Sequence, residues 1–183
     1  DLTLGQASFW HIFQSIFSHI SDPFLRINSV LLIIFLLYIL EKQSWLFLLF
    51  LPLLLLFSQS PSPDLAVMVL SLIAVNEILL KSKNITFLFA LSVFAVAVKP
   101  TVFWLPIFTF LYSVFIAKTS FKNLLPGFSL LILLIIKNLY LFGYPIFPVA
   151  FFDLNLPWKP DEKLLKISSE FAIQKTFDNQ YSL

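Results

Sequence analysis

Uncharged apolar runs separated by short polar breaks make up most of this chain. Residues 27–40, 43–63, 65–76, 84–98, 100–117 and 123–136 contain no Asp, Glu, Lys or Arg. Apolar and polar positions do not alternate within them, which excludes the strands of a membrane β-barrel. A helix needs about 20 residues to cross ~30 Å of hydrocarbon at ~1.5 Å per residue. Several runs are shorter, and reach that length only if flanking Arg26, Glu41, Lys81 and Lys137 extend their charged heads to the headgroups. The pattern predicts an all-α polytopic transmembrane bundle of about six spans, near 24–41, 43–58, 64–81, 84–99, 101–118 and 122–142.

The two ends read differently. Phe9, Trp10, Ile12, Phe13, Ile16, Phe17 and Ile20 recur at intervals of three and four, with Gln14, Ser15 and Ser18 between them. That periodicity predicts an amphipathic interfacial helix within residues 1–23. Residues 143–183 form a separate C-terminal segment. Within it, 161–177 predicts a surface helix with Leu164, Leu165, Ile167, Phe171 and Ile173 set among charged residues.

Composition sharpens the class. The chain has 183 residues, 59% hydrophobic and only 12% charged, about half the ~25% charge of a soluble domain. Its mean hydropathy is +0.92. So few charges cannot cover the surface of a soluble domain this size, which excludes a cytosolic globular enzyme, a disordered chain and a nucleic-acid binder. The net charge of +2 comes from scattered lysines rather than a basic patch. Zero cysteines exclude disulfides, thiolate metal sites and cysteine nucleophiles. The start at Asp1-Leu2-Thr3, with no basic region ahead of an apolar core, reads as the interior or C-terminal part of a longer protein.

Loop charges predict an orientation. Alternating from the first turn, one side receives Lys42, Lys81, Lys83, Lys118 and Lys122, and the positive-inside rule makes that side cytoplasmic. The other side receives Asp64, Lys99 and everything after Phe142. The C-terminal segment is therefore expected to be extracytoplasmic.

Most of the unusual residues fall on that outer side. Asp64 follows Ser60-Pro61-Ser62-Pro63, and either caps the third span or ligates a sugar hydroxyl or metal ion. Lys99 precedes the helix-breaking Pro100, and either snorkels or meets a lipid phosphate. Lys137 and Asn138 lie near the end of the sixth span, a depth at which an ionisable group is usually paired or faces a polar cavity. Gly143 ends that helix, and Tyr144 follows in the proline-stiffened run to Pro148. Trp158 is either an interfacial anchor or a face for a sugar ring, with Lys159 beside it. Glu77 is expected to pair with Lys81 four residues on. His11 and His19 lack an acidic neighbour, and the sequon at Asn84 falls on the predicted cytoplasmic side. No cofactor is identified, and beyond the metal-ligand alternative at Asp64 no residue pattern supports a divalent metal.

Ser62-Pro63-Asp64, Lys99-Pro100, Lys137-Asn138, Gly143-Tyr144-Pro145 through Pro148 and Trp158-Lys159, with Leu4-Gly5 through Ser8-Phe9-Trp10, carry a resemblance. The chain resembles the C-terminal part of bacterial polytopic membrane proteins of surface-polysaccharide synthesis, related to GT-C glycosyltransferases. The resemblance implies a bacterial inner-membrane location and a polyprenyl-phosphate-linked sugar as donor on the extracytoplasmic face. It also implies substrate-binding roles for Asp64, Lys99, Lys137, Asn138, Tyr144, Trp158 and Lys159. Where that family has Arg before the Asn, this chain has Lys137, which keeps the cation but loses the bidentate fork. The family's catalytic acid lies in a first outer loop expected upstream, so no catalytic residue is assigned. The alternative is a non-enzymatic membrane protein: a flippase or polymerase partner, or a transporter.

Overall fold

The computed structural model describes residues 26–59, 62–145, 154 and 156–159. Among them are six α-helices: α1 (Arg26–Lys42), α2 (Leu51–Ser58), α3 (Asp64–Leu79), α4 (Ile85–Val98), α5 (Trp104–Leu111) and α6 (Leu125–Phe142). A 3₁₀ helix at Trp45–Phe50 leads into α2, another at Pro100–Val102 precedes α5, and a third at Phe121–Leu124 leads into α6. A π-helical turn at Tyr112–Ile116 continues α5. The helices at 1–23 and 161–177 expected from sequence lie outside the described residues.

Helices α2, α4 and α5 fall inside uncharged runs, whereas α1, α3 and α6 extend past theirs to take in charged residues such as Glu41, Glu77 and Lys137. The expected six membrane-length spans do not appear among the described residues. Among the described residues, only Phe121–Phe142, at 22 residues and a mean hydropathy of 2.0, is long and apolar enough to cross a membrane. Trp45–Ser58, Ile85–Val98 and Pro100–Ile116 are apolar but shorter. The 14 residues of α4 cover only about 21 Å. The breaks explain the shortfall. Lys99-Pro100 ends α4 at Val98, with Lys99 extended at φ −149° and ψ 116°, because proline disfavours helical geometry in the residue before it. Asn84 caps the start of α4 by accepting a hydrogen bond from the Phe87 amide at 3.2 Å.

The chain divides into two compact units, residues 7–130 and residues 131–183 with 1–6. In the first, Asn28 on α1 donates to the Ser58 carbonyl at the end of α2 at 3.1 Å, so α1 and α2 run antiparallel. Ile27 and Leu31 pack with Ala66 and Val67 of α3 and with Val98 of α4. That contact sets α1 and α3 parallel and α4 antiparallel to both. The main core joins Leu32, Phe35 and Ile39 of α1 to Phe47, Leu54, Leu65, Val69, Leu72 and Ile73.

Phe89, Phe110 and Phe128 meet at ring-centroid distances of 5.2–6.1 Å, and Phe121 stacks on Phe128 at 5.5 Å. Gly127 lets α6 approach this cluster, since a Cβ there would overlap the Phe89 ring. Gly127→Ala is expected to destabilise the unit by about 1–2 kcal/mol through overpacking, measurable as an earlier thermal transition in detergent. A thermal transition unchanged from wild type would mean that Phe89 repacks freely.

Candidate functional site

At one end of the first unit, Asp64 and Lys99 form an ion pair between the start of α3 and the end of α4. The Ser62 hydroxyl lies 2.5 Å from Asp64 Oδ2 and accepts from the Asp64 amide at 3.3 Å. Pro63 occupies the cap position, so Asp64 is the first helical residue rather than the cap. A carboxylate there is favoured by the partial positive charge of the helix start. Both side chains of the ion pair are partly exposed. The arrangement holds two helix ends together and leaves Asp64 engaged by a cation and a hydroxyl, which makes it a weak proton acceptor.

The remaining candidates belong to the second unit, around the end of α6. Gly143 adopts φ +73° and its amide donates to the Leu139 carbonyl at 2.9 Å, ending the helix as its residue type predicts. Asn138 is buried, and its Nδ2 donates to the Pro145 carbonyl at 3.2 Å, folding the chain back on the helix end. Trp158 Nε1 donates to the Leu139 carbonyl at 3.3 Å while its side chain stays 55% exposed. Lys159 lies against Gly143, where a Cβ would come within 2.8 Å of the Lys159 Cβ. Tyr144 is fully buried, with Phe142 packed against it, so its ring is a fixture of this corner rather than an exposed face. Lys137 is half-buried on α6. Asn138, Tyr144, Trp158 and Lys159 thus share one corner, whereas Asp64 and Lys99 pair with each other in the other unit.

A polar cluster that sequence reading missed lies at the opposite end of the first unit. Tyr38 donates to Glu77 Oε1 at 2.8 Å and accepts from Asn76 Nδ2 at 3.0 Å. Lys42 Nζ lies 3.6 Å from Glu77 Oε1. Glu77 and Asn76 are both buried. The expected Glu77–Lys81 pair is replaced by Glu77–Lys42, because α3 ends at Leu79 and Lys81 turns away with φ +52°. The partners are 35 residues apart on different helices, and local spacing carries no signal of that pairing. Between the ends, Ser92 and Thr109 share a buried hydroxyl contact at 2.7 Å linking α4 to α5. Among the described residues, no three His, Cys, Asp or Glu side chains gather to hold a metal ion.

The fold and these side chains define an all-α, strongly apolar chain with one helix of membrane length among the described residues. It belongs to the family described as Domain of unknown function (DUF8201), which matches residues 1–183. No curated protein and no solved structure matches the chain.

Proposed function

We propose that this chain is a membrane-embedded part of a GT-C glycosyltransferase-like protein. Its donor would be a polyprenyl-phosphate-linked sugar at the extracytoplasmic face, used in cell-surface polysaccharide or glycolipid synthesis. One observation carries the membrane reading: apolar side chains cover the outward faces of the helices. Val30, Ile33, Ile34 and Leu37 on α1, Leu53 and Leu56 on α2, Phe87 and Phe94 on α4, Ile107 and Phe108 on α5, and Ile132 and Ile136 on α6 are all exposed. Soluble monomers rarely expose continuous apolar patches beyond a few hundred Å². Hydrocarbon accepts such a surface, with polar groups kept to the ends of the helices. A polytopic bundle of short helices is the finer form of this reading.

The enzymatic part rests on the resemblance and on chemistry. Lys137 would neutralise the departing lipid phosphate, which is electrostatic stabilisation of a leaving group. Trp158 offers its exposed face to a sugar ring, with its indole nitrogen anchored on Leu139. Lys99 is already engaged by Asp64, so it serves better as a helix tie than as a phosphate ligand.

The test is a transfer assay on membranes carrying the protein, with a radiolabelled polyprenyl-phosphate hexose. Lys137→Ala is expected to lower transfer about 100-fold, the order of losing one transition-state donor, while the protein still resists alkaline carbonate extraction. Unchanged transfer would overturn the assignment of Lys137, and release by carbonate would overturn the membrane reading. The second reading, a non-enzymatic partner or transporter, draws on the buried Glu77, held by Tyr38 and by the exposed Lys42, since buried ionisable groups in a helical bundle often mark ion or substrate paths.

A further inference from the structure

The first unit gathers exposed cations at one end. Lys42 closes α1, Lys81 and Lys83 follow α3, Lys118 follows the π turn, and Lys122 lies in the 3₁₀ helix before α6; all five are exposed. Their common location follows from packing. Lys42 reaches Glu77 near the end of α3, α4 starts four residues after Lys81, and Phe89 near the start of α4 touches Phe128 and Phe110. Among the described residues, two acids lie at this end: Glu77 is buried and neutralised by Lys42, and Glu41 is exposed among the lysines. Trp45, Phe115 and Phe121 are exposed at the same end, large aromatic side chains of the kind found at the hydrocarbon boundary.

The backbone adds an independent observation. Among the described residues, the non-glycine residues with positive φ are Gln43 (53°), Lys81 (52°) and Lys118 (48°), each just past a helix end on this face. At Lys81 the Ser82 amide bonds back to the Glu77 carbonyl at 2.9 Å and the Lys81 amide to Ile78 at 3.0 Å. Those are the two bonds of a helix stop in which glycine is the usual residue. Two of the three left-handed positions therefore hold lysine where glycine would sit without strain. Lysine charge at a helix C-terminus also complements the helix dipole, so a merely structural role must be separated from a binding role.

We propose that this lysine-bearing end is a docking surface for anionic phospholipid headgroups, with its aromatic residues at the hydrocarbon boundary. The proposal rests on the membrane reading and adds the partner of this end. Clusters of four to eight Lys or Arg beside membrane helices attract anionic lipid, each contributing about 1 kcal/mol, or about fivefold.

The test reconstitutes the chain into nanodiscs of equimolar phosphatidylcholine and phosphatidylglycerol, and reads retained lipid by native mass spectrometry. Wild type is expected to retain phosphatidylglycerol preferentially. The double variant Lys81→Gly/Lys118→Gly is expected to lose about 30-fold of that preference, while its thermal transition stays level or rises as backbone strain is relieved. Lys81→Arg/Lys118→Arg is expected to keep the preference. Wild-type retention in bulk proportion, or a double glycine variant that keeps the preference, overturns the proposal and leaves the membrane reading standing. A chain that enters no nanodisc of any composition removes both.

Discussion

Lys42→Met is expected to lower stability by about 3 kcal/mol, a fall of roughly 6–12 °C in the melting temperature of a chain this long. The substitution leaves Glu77 buried with its countercharge gone, held only by the neutral hydroxyls of Tyr38 and Ser82. Loss of one partner from a fully buried ion pair costs about 3–5 kcal/mol because the remaining charge is stranded. The low end applies here, since Lys42 itself is 37% exposed. Adding Glu77→Gln is expected to recover most of the loss, because the amide still accepts from Tyr38 and strands no charge. Thermal melts of the wild type, both single variants and the double variant in one detergent give the coupling directly. Strictly additive effects would mean that the pair contributes nothing as a pair.

Gly143→Val carries an effect of similar size, read locally. A β-branched residue resists φ +73°, and forcing a side-chain-bearing residue into the left-handed region costs about 1–2 kcal/mol. The new Cβ would also sit 2.8 Å from the Lys159 Cβ and 3.1 Å from its Cα. The second of these is backbone and does not move aside cheaply, adding about 1–3 kcal/mol of overpacking. The total is about 3 kcal/mol. Amide exchange is expected to quicken at Gly143 and at Lys159, whose amide bonds to the Leu156 carbonyl at 3.2 Å. Protection equal to wild type at both sites would show that the segment at 156–159 docks without the glycine.

Helix positions were legible in the sequence because local chemistry sets them. Lys99-Pro100 stops α4, and Gly143 stops α6. Asn84, weighed in the sequence only as a sequon, proves to be a helix cap. Helix length misled because an uncharged run is only an upper bound on a helix. Residues 43–63 contain a 3₁₀ turn and an eight-residue α2 rather than one continuous span. Long-range pairing was not legible at all. Asp64–Lys99 and Lys42–Glu77 are each 35 residues apart, and only the parallel and antiparallel packing of α1, α3 and α4 brings them together. Among the candidate residues, Asn138, Tyr144, Trp158 and Lys159 come together at one corner, and the hydrogen bonds that fold it left no mark in the sequence. The left-handed lysines were equally hidden, since the usual signal for such a stop is glycine and the chain has only three.

The unequal helix lengths bear on any lipid around the chain. Helix α4 offers about 21 Å of apolar length, whereas Phe121–Phe142 offers about 33 Å. Beside α4 a bilayer of ~30 Å hydrocarbon would have to thin by several ångströms, at a fraction of a kcal/mol for each ångström of mismatch, whereas beside Phe121–Phe142 it would not. The perimeter would then meet a leaflet of uneven thickness, in which acyl chains disorder most at the short helices. Under the proposed function, such a place would lower the cost of drawing a long polyprenyl tail sideways out of the bilayer, and thicker host membranes would raise it.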